Sequence, residues 1–160
     1  MADDISTLRR ILGTARTIAV VGLSAEWHRP SYFVGKYLLE HGYTMIPVNP
    51  KYESVLGQKC YPNLRTAREQ AGSIDLVDCF RRTEDIEPLA EEAIAIGAKT
   101  LWMQLGVVNE GAARTARAAG LVVVMDRCVK IEHARLFGGL NWAGVNTRVI
   151  SAKRPRQLAY

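Results

Sequence analysis

Three short clusters in this chain combine residue types that hold anions. In the first, Gly22-Leu23-Ser24 follows the β-branched run Ile18, Val20, Val21 and leads through Arg29-Pro30 to Ser31 and Tyr32. A glycine between a buried parallel strand and a helix lets backbone approach a ligand closely, and the first-turn N–H groups of the helix attract phosphate. Pro30 suits that first turn, where its missing N–H has no intrahelical partner to lose. The second cluster, Asn49-Pro50-Lys51, closes an apolar run with a turn and a cation. The third, Phe80-Arg81-Arg82, sets a flat apolar ring beside two guanidinium groups. Arginine's fork of donors matches phosphate oxygens, and an aromatic ring can line the slot for a base.

Such groups work together only if the chain brings them to one place. The apolar pattern alternates short β-rich runs with longer helical ones, with glycine at the junctions, which signals repeated βα units around a parallel sheet. Strands are expected over 17–21, 43–48, 74–80, 100–104 and 121–126. Helices are expected over 4–12, 31–40, 64–70, 83–96 and 109–119. The expected fold is α/β, a doubly wound parallel five-stranded sheet in the order 3-2-1-4-5 with helices on both faces. Ligands of such sheets sit at the carboxyl edge, which here gathers Gly22, Asn49, Phe80, Gln104 and Asp126. The domain is expected to span 1–137, and 138–160 reads as a Gly- and Asn-containing basic extension.

The details favour a phosphorylated ribose. An ordinary dinucleotide site would show Gly-x-Gly-x-x-Gly after the first strand and an acid after the second to hold the ribose hydroxyls. The loop here has one glycine of that set, and the second strand ends in Asn49-Pro50-Lys51, a cation where an acid would repel phosphate. Coenzyme A fits, since its nucleotide half carries several negative charges for Lys51, Arg29, Arg81 and backbone N–H groups to share. NADP would share some of these contacts. Alternate side chains of a strand leave opposite faces, so Arg81 and Arg82 are expected to diverge.

Other chemistries find less support. Cys60, Cys79 and Cys128 are odd in number and widely spaced, as expected of reduced thiols, and His28, His41 and His133 are scattered, so no metal site is expected. Cys128 lies five positions before His133, a spacing that establishes no nucleophile–base contact, and Cys128 is left as a candidate for disulfide exchange with a thiol ligand. Gln104 and Gly106 could offer an amide and backbone N–H groups to a thioester carbonyl, the donors acyl chemistry requires. The net charge of +5 favours an anionic partner, but part of it lies in the tail residues Arg148, Lys153, Arg154 and Arg156. No aromatic-rich RNA-binding signature or zinc-finger spacing accompanies it, so nucleic acid is not the expected partner. No apolar run approaches a bilayer's thickness, and the acidic start lacks the basic region of a secretory signal, so no membrane contact and a cytoplasmic location are expected.

Taken together, the segments Ala19-Val20-Val21-Gly22-Leu23-Ser24, Arg29-Pro30-Ser31-Tyr32, Ile46-Pro47-Val48-Asn49-Pro50-Lys51, Val77-Asp78-Cys79-Phe80-Arg81-Arg82, Leu101-Trp102-Met103-Gln104-Leu105-Gly106 and Val124-Met125-Asp126-Arg127-Cys128 give a resemblance across nearly the whole chain. The chain resembles the small stand-alone CoA-binding proteins, related to the CoA-binding domain of the succinyl-CoA synthetase α subunit. The resemblance implies a Rossmann-like sheet with CoA across its carboxyl edge, the pyrophosphate at Gly22 to Ser24, and the adenosine and its phosphate at Asn49-Pro50-Lys51 and Phe80-Arg81. It does not carry over ligase activity, because the synthetase's phosphorylated histidine lies in a further domain that this chain has no room for. The leading expectation is therefore binding of CoA or an acyl-CoA without catalysis. An NADP-dependent reductase or an acyl-CoA hydrolase or transferase is the alternative. A third reading is an interaction module that docks a protein partner through the basic tail, and a homo-oligomer is also compatible.

Overall fold

The computed structural model describes residues 4–138. The extension expected over 138–160 lies, Gly138 apart, outside the described residues. Five parallel strands form one sheet: β1 (Thr17–Val21), β2 (Thr44–Val48), β5 (Leu76–Cys79), β6 (Thr100–Met103) and β7 (Val122–Val124). A short hairpin, β3 (Ser54–Val55) with β4 (Gln58–Lys59), sits between β2 and α3 (Leu64–Ala71). The other helices are α1 (Ile5–Thr14), α2 (Pro30–Glu40), α4 (Ile86–Ala95), α5 (Glu110–Ala118) and α6 (Val129–Phe137).

Strand alternation sorts the core into two halves. Ala19, Val21, Ile46, Val48, Val77, Cys79, Leu101 and Met103 face α3, α4 and α5. Ile18, Val20, Met45, Leu76, Trp102 and Val124 face α1, α2 and α6. Successive residues of a strand leave opposite sides, so the near-continuous apolar runs of the sequence are what a sheet covered on both faces demands. Each large aliphatic or aromatic side chain buried this way contributes about 1.5–3 kcal/mol. The expected doubly wound α/β, Rossmann-like class with helices on both faces is the one observed.

The strand order needs correction. Counting only the five sheet strands along the chain, the order is 2-1-3-4-5 rather than 3-2-1-4-5, because Leu76–Cys79 pairs with β1 and not with the outer side of β2. Pro47 supplies a reason. It lies opposite Val20 in the β1–β2 ladder, and its carbonyl points outward, accepting from the Tyr61 N–H at 3.0 Å. The missing N–H of Pro47 therefore faces outward too, and a full strand paired there would lose a ladder bond; proline in a sheet belongs on an edge strand. A short bridge at Tyr61 covers this margin instead, with the Asn49 N–H donating to the Tyr61 carbonyl at 2.9 Å. In this order the connections wind one way from β1 to β2 and the other way from β5 onward, and the crevice beyond the carboxyl ends of β1 and β5 is where such sheets take ligands.

Candidate functional site

Backbone geometry brings the ends of β1, β2 and β5 into contact at that crevice. The Gly22 N–H donates to the Val48 carbonyl at 2.8 Å and the Phe80 N–H to the Val21 carbonyl at 2.8 Å. Gly22 has φ +86°, and a Cβ placed on it would lie 2.1 Å from the Phe80 carbonyl oxygen. The close approach that requires glycine here is thus made by the protein's own backbone at Phe80, just past β5, which fixes the mouth of the crevice.

Beyond Gly22 the loop is stitched to its neighbours. Leu23 sends its side chain into the α2-side core and its carbonyl accepts from Asn49 Nδ2 at 3.1 Å. Asn49 Oδ1 accepts the Lys51 N–H at 3.0 Å, an Asx turn that sets the path of Asn49-Pro50-Lys51. Ser31, buried at the start of α2, accepts the Ser24 N–H at 3.0 Å, and Ser24 Oγ accepts the Glu26 N–H at 3.1 Å. α2 itself begins with Arg29 and Pro30 and has no side-chain cap, so its positive end stays open toward the crevice. Around it lie exposed cations and one anion. Arg29 Nε pairs with Glu26 at 2.9 Å, His28 lies 3.9 Å from the same carboxylate, and the hydrogen bond from Arg29, followed by the fields of Arg29, His28 and Lys51, holds Glu26 below the usual carboxylate range.

On the other side of the crevice a groove of about 280 Å³ opens between α3 and α4. Val21, Val48, Leu64 and Leu89 form its floor, Pro50, Pro62 and Pro88 its apolar rim, and Arg81, Asn63, Asp85 and Glu92 its polar groups. Asn63 caps α3, its Oδ1 accepting the Thr66 N–H at 2.8 Å. β5 ends at Cys79, so strand alternation does not reach the two arginines, but they diverge all the same: Arg81 lines the groove, whereas Arg82 turns to Glu84 at 3.6 Å and Asp85 at 3.3 Å.

The structure thus brings together Gly22, Ser24, Arg29, Ser31, Asn49, Pro50, Lys51 and Arg81 around one crevice. Four other residues expected there are engaged elsewhere. Phe80 packs its ring against the α2-side core, away from the groove, and Tyr32 packs against the same core. Leu23 is fully buried. Gln104 is buried and donates its amide to Asp78, so it is not turned toward a thioester. The groove residues Pro62, Asn63, Asp85, Pro88 and Glu92 were not among those expected. The legible signal was Asn63 ahead of Leu64, an N-cap preceded by a proline.

The thiol and imidazole candidates do not meet. His133 is buried, its Nδ1 2.8 Å from the Tyr37 hydroxyl, and burial followed by the field of His41 pulls it down to about 4. Its ring stacks on Phe137 at 4.9 Å, so His133 is engaged by Tyr37 and Phe137. Burial pushes the Cys128 thiol up, with the Ile131 and Lys130 amides opposing and the Asp78 field adding to the rise. Cys60 and Cys79 are buried outright, so native alkylation with iodoacetamide is expected to label Cys128 first, several-fold more slowly than free cysteine at pH 8. Peptide mass spectrometry reads this, and faster labelling of Cys128 than of free cysteine would contradict the environment described. Among the described residues no three His, Cys, Asp or Glu side chains gather to hold a metal ion, and no helix is long and apolar enough to cross a membrane.

Residues 16–134 match the family model described as a CoA binding domain. The chain is 41% identical over 127 residues to Bacillus subtilis (strain 168) YneT, covering 79% of this chain and 92% of YneT. A hypothetical protein from Pyrococcus horikoshii OT3 superposes with TM-score 0.80 at 43% identity, over 84% of this chain and 93% of that one. Cell-free ID.343 from Thermus thermophilus does so with TM-score 0.78 at 33% identity, over 84% of this chain and 99% of its own.

Proposed function

Because the chain belongs to the CoA-binding domain family, we propose that it binds coenzyme A, free or acylated, through the phosphoadenosine diphosphate half, and does not turn it over. One observation carries this reading: an apolar groove with a guanidinium at its mouth adjoins an uncapped helix start across the crevice between β1 and β5. The adenosine lies in the groove. The pyrophosphate lies over Gly22 to Ser24 and the start of α2, where the helix's positive end favours anions, and Arg29 can leave Glu26 for a phosphate oxygen. Lys51 and Arg81 serve the 3′-phosphate. Leu23, Ser31 and Asn49 shape the loop from beneath, while Phe80 holds the crevice mouth through its carbonyl rather than through its ring.

The absence of turnover is supported by where the reactive groups are engaged. Gln104 is spent on Asp78, His133 on Tyr37, and the Cys128 thiol is held in its protonated form by burial. The missing glycines after Gly22 weigh against a reductase that positions NADP as a dinucleotide. The extension carrying the tail cations lies outside the described residues, so docking through it gains no support here.

Calorimetric titration with CoA, dephospho-CoA and NADP tests the proposal. A charge-assisted hydrogen bond is worth about 1.5–3 kcal/mol, so CoA is expected to bind at least about tenfold more tightly than dephospho-CoA. Lys51→Ala and Arg81→Ala are each expected to shrink that ratio. Equal affinity for the two ligands, or a preference for NADP, would overturn the assignment.

A further inference from the structure

Near the carboxyl ends of β5 and β6 lies a buried acid with an unused oxygen. Asp78 stands opposite Val20 and Trp102 in the ladder, and their side chains fill the half of the core under α1, α2 and α6, so strand alternation aims Asp78 into that half too. It is fully buried. Gln104, two residues beyond Trp102, donates its amide to Oδ1, whereas Oδ2 has no hydrogen-bond partner among the described residues. A buried polar atom normally has a partner, so an orphan calls for a reason. The start of α6 adjoins it. Trp102 Nε1 donates to the Arg127 carbonyl at 2.8 Å, which ties the residue before Cys128 to β6, and the Asp78 field reaches the Cys128 thiol. Cys128 occupies the cap position of α6 but makes no capping hydrogen bond, so no side chain caps the first N–H groups of this nine-residue helix. Leu105 and Val108 are exposed on the loop after β6, and Gly106 between them donates to Asp126, two residues before Cys128, at 2.7 Å. This edge therefore offers apolar surface next to an open helix start.

An uncapped helix start and a carboxyl that carries its proton are both donors, and donors converging on one point suit a carbonyl oxygen. We propose that Asp78 and the first amides of α6 receive the thioester carbonyl of an acyl-CoA, with Leu105 and Val108 beside the acyl group, so that the chain prefers an acylated ligand to one lacking the carbonyl. The inference rests on the CoA reading above and assigns the acyl end of that ligand, which the nucleotide contacts leave open. Cys128, half-exposed and held by no capping bond, is the side chain that the carbonyl turns aside to reach Oδ2.

The preference depends on the proton. Burial raises the Asp78 carboxyl to about 7, against the hydrogen bond from Gln104, so below that pH Oδ2 donates to a carbonyl. Above it the ionised carboxylate only accepts, and it repels the carbonyl. The other ionisable groups of the packed elements leave this change to Asp78. Burial raises the Cys79 and Cys128 thiols, and burial followed by the field of His41 pulls His133 on α6 down to about 4. Glu132 pairs with Arg127 at 3.2 Å and Arg135 at 3.6 Å. α2 contributes Tyr32 and Tyr37, the latter pushed up to about 12 by burial, and the Tyr37 ring carries His41 at 3.8 Å and Lys130 at 5.9 Å. α1 turns only Leu8, Ile11 and Leu12 inward.

The test uses the full chain and two probes of nearly equal size, acetyl-CoA and S-ethyl-CoA, a thioether without the carbonyl. The ratio of their affinities by calorimetry isolates the carbonyl, because the nucleotide half, and whatever His28 does beside it, is common to both. At pH 6 acetyl-CoA is expected to bind about fivefold more tightly, the effect of one buried hydrogen bond, and at pH 8.5 the ratio is expected to fall to unity or below. Asp78→Asn keeps an acceptor for Gln104 and puts a permanent N–H donor at the other position, so its preference is expected to stay level across the same range. Asp78→Leu removes the donor and is expected to bind both probes alike at either pH; if it folds poorly, the wild-type profile decides alone. A wild-type ratio near unity at pH 6, or one that does not change with pH, would overturn this inference and leave the CoA reading standing. An Asn variant whose ratio falls with pH as the wild type's does would overturn it equally, and failure to bind either probe would remove the reading beneath it.

Discussion

Replacing Gly22 by alanine is expected to lower the melting temperature by on the order of 10 °C and to remove CoA binding with it. Two costs add. A non-glycine residue held at φ +86° is strained by roughly 1–2 kcal/mol, and a Cβ placed 2.1 Å from the Phe80 carbonyl oxygen must push β1 and β5 apart. The atom met is backbone, so no rotamer change relieves it, and overpacking of this kind costs about 1–3 kcal/mol more. Gly120→Ala separates the two contributions. Gly120 has φ +92° and nothing within 4 Å of its added Cβ, so its variant carries the strain alone. Thermal melts of the three proteins, with a CoA titration of each, measure the difference. A Gly22 variant no less stable than the Gly120 variant would mean that the crevice mouth yields more easily than its contacts imply.

The second large effect is one that the native chain conceals. Burial raises the Asp78 carboxyl to about 7, against the opposing hydrogen bond from Gln104, and the same penalty pulls His133 down to about 4. Between about pH 4 and 7 the folded chain keeps a proton on Asp78 that the unfolded chain releases, so raising the pH through this window favours unfolding. Between about pH 4 and 6.5 the unfolded chain takes a proton on His133 that the folded chain refuses, so there raising the pH favours folding. At about 1.4 kcal/mol per unit each contribution amounts to a few kcal/mol, and over the shared window they oppose one another. The wild type is therefore expected to show a nearly level stability from about pH 4 to 6.5. Asp78→Asn, which keeps an acceptor for Gln104, is expected to turn that level stretch into a rise of a few kcal/mol and to be the more stable protein at pH 8. Denaturant unfolding at intervals of pH gives the curves. An Asp78→Asn curve parallel to the wild type would place the Asp78 titration outside this window.

How much of this was legible in the sequence depends on the kind of information. The five strands and five of the helices follow from apolar period and punctuation, because those elements bury simple aliphatic faces. α6 escaped, since Glu132 and His133 stand on its buried side and break the apolar stripe that would announce it. The β3–β4 hairpin escaped as well: only two residues of each strand pair, and its turn places Leu56 at φ +54°. The strand order was written in Pro47, whose missing donor is a local fact with a long-range consequence. Of the site, the phosphate-facing loops were readable from residue type, because glycine, proline and arginine each have a narrow set of uses there. The groove was not, because it arises where α3 and α4 converge, and neither Pro62 nor Glu92 has a neighbour in sequence that reveals the other. Phe80 and Gln104 misled for the same reason, being residue types equally at home against a ligand or inside a core.

The proline that fixes the sheet's margin also bears on how copies of this chain can meet. A bare outer strand is a template on which another molecule's backbone can align and extend the sheet, the route to stacked aggregates. At β2 that template lacks a donor at Pro47 and is already occupied by the segment through Tyr61. Self-association along this flank must therefore proceed through side-chain surfaces, and a crowded solution of the folded protein is protected there against fibre growth.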